Sequence, residues 1–161
     1  MWGVRRRFGT TAEGEAIPLS GANMTVSIVV CLPREVESLR VARGVLGAAL
    51  AALEVTGSCR EQLAVVVSEA CGNVVAHADG AHAYVLKVNI AAGRCDVKVV
   101  DQGGGFVYDA QTPRVQPTAA SGRGLYLIDL LTDQLTVTSD LGHGTTVSFT
   151  KRLDFTGTPR G

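Results

Sequence analysis

The chain is poor in the features that would name a function quickly. It has no string of the form G-x-x-x-x-G-K-[ST], which excludes the phosphate-binding loop that carries a lysine. "GGGFVY" and "GRGLYL" both lack the third glycine of a dinucleotide fingerprint. G-x-S-x-G is absent, which excludes the nucleophile elbow of α/β-hydrolases. There is no excess charge of either sign, with 15 Lys+Arg against 15 Asp+Glu, so no whole-molecule field recruits nucleic acid or an acidic membrane. No uninterrupted apolar run approaches the length of a membrane span, and the N-terminus has no secretory apolar core, so the expected location is the cytoplasm. The four cysteines, Cys31, Cys59, Cys71 and Cys95, are too scattered for a zinc finger. They are expected to be reduced thiols, with Cys31 and Cys71 inside apolar runs as small hydrophobes.

What is present is glycine, 19 of 161 residues, gathered in short clusters beside polar side chains. The length suits one domain with a real core. Residues 1–23 hold "RRR" and many turn-formers without a sustained period, so they read as a flexible arm, with ordered sequence from Met24. "MTVSIVVCL" has the alternation of a strand. Pro33 is expected to open a helix in which Val36, Leu39, Leu46, Leu50 and Leu53 form the apolar stripe, with Gly57 breaking it. A second helix is expected from Arg60 to His77. "HAYVLKVNI" and "CDVKVVD" form a hairpin around "AAGR", and "QLTVTSD" and "TTVSFTKRL" form another around "LGHG". "GRGLYLIDLLT" reads as a short helix behind glycines, and residues 154–161 as a frayed tail. The order β-α-α-β-β-loop-α-β-β predicts an α+β, two-layer α/β sandwich with a mainly antiparallel sheet over residues 24–153.

The second helix raises a question. Glu69, Asn73 and His77 stand four residues apart, each about 40° further round the helix, beside the apolar stripe of Leu63, Val67, Ala70, Val74 and Ala78. A plain amphipathic helix has no use for such a ladder. A solvated face is the structural alternative, and His77 could serve equally as a helix-end cation. Gly72, in mid-helix, costs about 1 kcal/mol relative to alanine and suggests close packing or distortion.

"EACGN…H", "DQGGGF", "GRGL" and "GHGTT", in this order and at domain-scale spacing, resemble the boxes of the GHKL, or Bergerat-fold, ATPases. Within that superfamily the chain is similar to the stand-alone bacterial anti-sigma-factor serine kinases, from about Met24 to Leu153. The resemblance implies a histidine-kinase-like ATPase fold. It also implies that ATP or ADP binds with magnesium. Asp101, acceptor-only when ionised, would take the amine of adenine, with Gly103 and Gly105 admitting the base and Thr146 completing that side. Gly122, Arg123, Gly124 and Leu125 would meet the phosphates at a helix start, with His77 on the same side. Asn73 would ligate Mg2+, and Glu69 would be the general base. The polar stretch Tyr108–Ser121, with Pro113 and Pro117, would be a lid over the nucleotide. Arg40 and Arg43 lie near the region where family members contact partners. The implied partners are a sigma factor, a STAS-type anti-sigma-factor antagonist and a second copy of the chain, with no nucleic acid and no membrane. Two functions stay open: a serine kinase that also sequesters a sigma factor, and a non-catalytic nucleotide-binding module. Glu69 favours the kinase, since a pure binder needs no base.

Overall fold

The computed structural model describes residues 24–105 and 123–157. The expected arm (1–23), the expected lid (108–121) and Gly122 therefore lie outside the described residues. The elements run β1 (Val26–Pro33), α1 (Ser38–Ala52), α2 (Gly57–His77), β2 (Ala83–Ala91), β3 (Arg94–Asp101), α3 (Arg123–Leu131), β4 (Gln134–Asp140) and β5 (Gly144–Arg152). The five strands form one sheet in the order β1-β2-β3-β5-β4, and every neighbouring pair is antiparallel. The α+β sandwich expected from the element order is the architecture found. No described helix is long and apolar enough to cross a membrane.

Strand alternation builds the two layers. Tyr84, Leu86, Val88 and Ile90 of β2 are buried, as are Cys95, Val97 and Val99 of β3 and Val147 and Phe149 of β5. They meet Leu46 and Leu50 of α1, Leu63, Val67 and Ala70 of α2, and Ile128 of α3 in one core. The other sheet face is open, and Val29, Lys87 and Lys98 sit side by side across it. Cys31 lies on that face and is exposed, contrary to the packed thiol expected there, while Cys59, Cys71 and Cys95 are buried.

Three boundaries differ from the sequence reading for local reasons. Pro33 does not open α1; it ends β1, opposite Ala83, on a sheet edge where its missing N–H costs nothing. Gly57 does not break a helix but begins α2, behind Thr56, whose hydroxyl accepts the Cys59 N–H at 3.4 Å. The break lies earlier, at Glu54, where φ is 59°. The tail is not frayed over residues 154–157: Phe155 bridges to Val55, and Thr56 N–H donates to Asp154 O at 2.8 Å. The β2–β3 turn holds Ala92 and Gly93 at φ 50° and 71°, the left-handed pair that matches strand twist in a tight hairpin.

Candidate functional site

A cavity of about 290 Å³ opens between α2, α3 and the sheet, at the lower end of the range for small-molecule sites. Its walls include Ala70, Asn73, Val74, His77 and Ala78 of α2 and its end, and Leu125 of α3. Asp101, Gly105, Thr145 and Val147 complete it from the sheet side. Two rungs of the ladder on α2, Asn73 and His77, thus border a cavity. Asn73 and Glu69 are half-buried and His77 is exposed at its mouth.

Asp101 ends β3 and is only 6% exposed. Burying a carboxylate demands a donor, and the chain supplies one: Gly103 N–H donates to Asp101 Oδ1 at 2.8 Å. The carboxylate retains the capacity to accept a further N–H from the cavity side. The glycines around it are there because backbones come too close for a side chain. A Cβ on Gly103 would stand 2.8 Å from the Ala78 backbone. Gly105 has φ 63°, and a Cβ there would collide with Asp140 O. A Cβ on Gly144, at φ 88°, would collide with Asp101 O. Gly142 N–H donates to Gly104 O at 2.7 Å, so the β4–β5 turn and the glycine loop are joined main chain to main chain.

Gly124, in the first turn of α3, joins the other half of the site. A Cβ on it would lie 2.9 Å from Glu69 Oε2 and 3.2 Å from Asn73 Oδ1. The start of α3 therefore rests directly against the carboxylate and the amide of the ladder. Arg123 is the exposed first residue of the same helix. Among the described residues no three His, Cys, Asp or Glu side chains cluster to cage a metal. One amide oxygen beside a carboxylate instead suits magnesium, which takes few protein oxygens and keeps its waters.

Sequence reasoning placed one residue on the wrong side. Thr146 pairs with Val100 and shares the open face with it, whereas Thr145 pairs with Asp101 and lines the cavity. Gly144 of "GHGTT", a position with no candidate role in the sequence, is the residue that lets β5 pass beside Asp101. Behind the cavity, Cys71 of α2 is pushed up to about 11 by burial, partly offset by a hydrogen bond with Tyr84. Burial also raises the Tyr84 phenol, whose hydroxyl hydrogen-bonds Ser38 Oγ at 2.7 Å. A thiol held that high stays protonated and inert.

Residues 32–151 match the family model described as "Histidine kinase-like ATPase domain". The chain belongs to the histidine kinase-like ATPase family. Among the relatives of this ATPase domain is the serine-protein kinase RsbW of Bacillus velezensis, 31% identical over 135 residues, which span 76% of this chain and 83% of the relative. The RsbW of Bacillus subtilis is 30% identical over 135 residues, with the same 76% and 83% coverage. A crystal structure of the RsbU and RsbW domains of Rv1364c from Mycobacterium tuberculosis superposes with a TM-score of 0.64 at 22% identity. That match covers 81% of this chain and 33% of the other, and it speaks for the Bergerat fold alone.

Proposed function

We propose that the chain is an ATP-dependent, magnesium-requiring protein serine kinase and anti-sigma factor. It sequesters a sigma factor and phosphorylates a STAS-type anti-sigma-factor antagonist on serine. The observation that carries this reading is the junction at Gly124. There the start of α3 lies against Glu69 and Asn73, and Asn73 lines the same cavity as Asp101. On this reading Asp101 would serve as the base-binding acid, Asn73 as the metal-ligand amide, the start of α3 as the phosphate-binding turn and Glu69 as the carboxylate acting on a hydroxyl. RsbW relatives that carry the name serine-protein kinase at 30–31% identity support it.

In this mechanism Asp101 accepts the exocyclic amine of adenine, and Gly103 and Gly105 let the main chain approach the ring. Asn73 would hold magnesium, which would supply positive charge at the phosphates. The Gly124 N–H and the Arg123 guanidinium meet the phosphates at the helix start, with His77 at the cavity mouth. Glu69 takes the proton from the attacking serine hydroxyl. The chain acts in the cytoplasm as a homodimer, and phosphorylation releases it from the antagonist.

Glu69→Gln tests the central role. The variant should bind ATP as the parent does, within about twofold, and lose phosphorylation of candidate antagonists by about a hundredfold or more, as general-base removal does. Phosphorylation at the parent rate would refute the base assignment. Absence of phosphorylation by the parent chain, with ATP still bound, would favour the non-catalytic module.

A further inference from the structure

Arg34, the first residue after β1, carries no motif, yet its side chain reaches the back of the cavity wall. Nε donates to Val74 O at 3.2 Å and to Val75 O at 3.1 Å, both in the last turn of α2. Nη2 lies 3.2 Å from Asp79 Oδ1. A helix leaves its last carbonyls short of donors. Here Asp79 N–H, the donor that a continuing helix would offer Val75, turns to His77 O instead. The guanidinium supplies a donor to Val75 in its place, and a cation at a helix C-terminus also meets the negative end of its dipole. The Asp79 side chain is 92% exposed, so that ion pair contributes little and the carbonyl bonds carry the clamp.

The turn held in this way forms part of the site. His77 and Ala78 line the cavity. The Ala78 backbone is the surface against which Gly103 sits with no room for a side chain. Asp79 O accepts Gly104 N–H at 2.9 Å, and Gly103 N–H in turn holds Asp101 Oδ1 at 2.8 Å. A continuous set of contacts therefore links Arg34, the end of α2, the glycine loop and the Asp101 carboxylate. Its hydrogen bonds and close backbone approaches do not include Glu69, Gly124 or the Asn73 side chain, although Val74 adjoins Asn73 in α2.

We infer that Arg34 is a positioning residue for the base-binding half of the site, acting through the terminal turn of α2 on the orientation of Asp101. The inference rests on the nucleotide reading above. It makes the loss asymmetric: removing the guanidinium weakens recognition of the base and spares recognition of the phosphates.

The experiment compares ATP, adenosine and inorganic tripolyphosphate binding to the parent, Arg34→Met, Arg34→Lys and Asp79→Asn. It adds amide hydrogen exchange on the free chains. Arg34→Met should weaken ATP and adenosine by about tenfold, the scale of one lost charge-assisted bond, and tripolyphosphate by less than about twofold. Arg34→Lys should recover most of that loss, and Asp79→Asn should cost less than about twofold. The Gly103 and Gly104 amides should exchange faster in Arg34→Met, with Val137 and Val147 unchanged. Equal loss for ATP and tripolyphosphate, or faster exchange across the whole sheet, would overturn the assignment in favour of a role in general stability. Unchanged exchange at Gly103 and Gly104 beside intact ATP binding would overturn it alone. A parent chain that binds no ATP would overturn the nucleotide reading and this assignment together.

Discussion

Replacing Gly72 by alanine should stabilise the protein. The position is half-buried in the middle of α2, and the helix runs without interruption from Gly57 to His77. Gly72 is not among the glycines at positive φ, so alanine meets no backbone penalty there. A Cβ built on it has as its nearest neighbour Leu39 Cδ2 at 3.8 Å, an ordinary van der Waals contact. Neither the close packing nor the distortion expected from the sequence is present. What remains is the intrinsic helix preference, about 0.8–1.0 kcal/mol in favour of alanine, which acts through the entropy of the unfolded chain. The new methyl group adds a few tenths of a kcal/mol against Leu39. The sum is about 1 kcal/mol, or about 2–4 °C in Tm for a domain of this size. Urea unfolding followed by far-ultraviolet circular dichroism should show a higher midpoint with an unchanged slope. ATP affinity should hold, because Gly72 does not line the cavity. A loss of about 1 kcal/mol or more would refute the reasoning, since it would require α1 and α2 to pack closer at this point than they do here.

The two adjacent threonines should separate cleanly: Thr145→Val should weaken ATP binding several-fold and Thr146→Val should leave it unchanged in the same titration, because only Thr145 faces the cavity. Ala92→Asn should stabilise by about 0.5–1 kcal/mol in denaturant titrations, since the left-handed conformation at φ 50° costs alanine more than asparagine. Stability should fall as the solution becomes alkaline. Burial raises the Cys71 thiol to about 11 and the Cys95 thiol to about 12, from 9.0, so between pH 9 and 11 the unfolded chain releases protons that the folded chain keeps. The slope approaches about 1.4 kcal/mol per pH unit for each such group, and urea midpoints at pH 8, 9 and 10 that do not decline would contradict it.

Asp101 and its glycines were legible in the sequence because their requirement is nearly absolute. A backbone that passes within van der Waals contact of another backbone admits one residue type, so the glycine clusters mark where chains meet. The Glu69–Asn73–His77 ladder was legible because helical spacing fixes which side chains share a face. The misplaced threonine was recoverable from alternation: Thr145, Val147 and Phe149 alternate with Thr146, Ser148 and Thr150, and the apolar set must face the core. Pro33 was ambiguous because proline suits a helix start and the end of an edge strand alike. The pairing of Phe155 with Val55 joins residues far apart in the chain, and no local pattern carries that information. Arg34 was invisible for the same reason, since its partners lie |i−j| = 40 and 41 away.

The wall on the Asp101 side consists of the chain itself more than of what the chain carries. Gly103 presses on the Ala78 backbone, Gly105 on Asp140 O, Gly144 on Asp101 O, and Gly142 N–H holds Gly104 O. Side chains between these points, such as those of Gln102, Leu141 and His143, are exposed and take no part in the wall. In a library that replaces every residue in turn, this region would read as a barcode. Three glycine positions would admit almost no replacement, and they would be separated by positions open to nearly any residue. Drift could then recolour the rim of the pocket while the shape of the wall beside Asp101 stays the same.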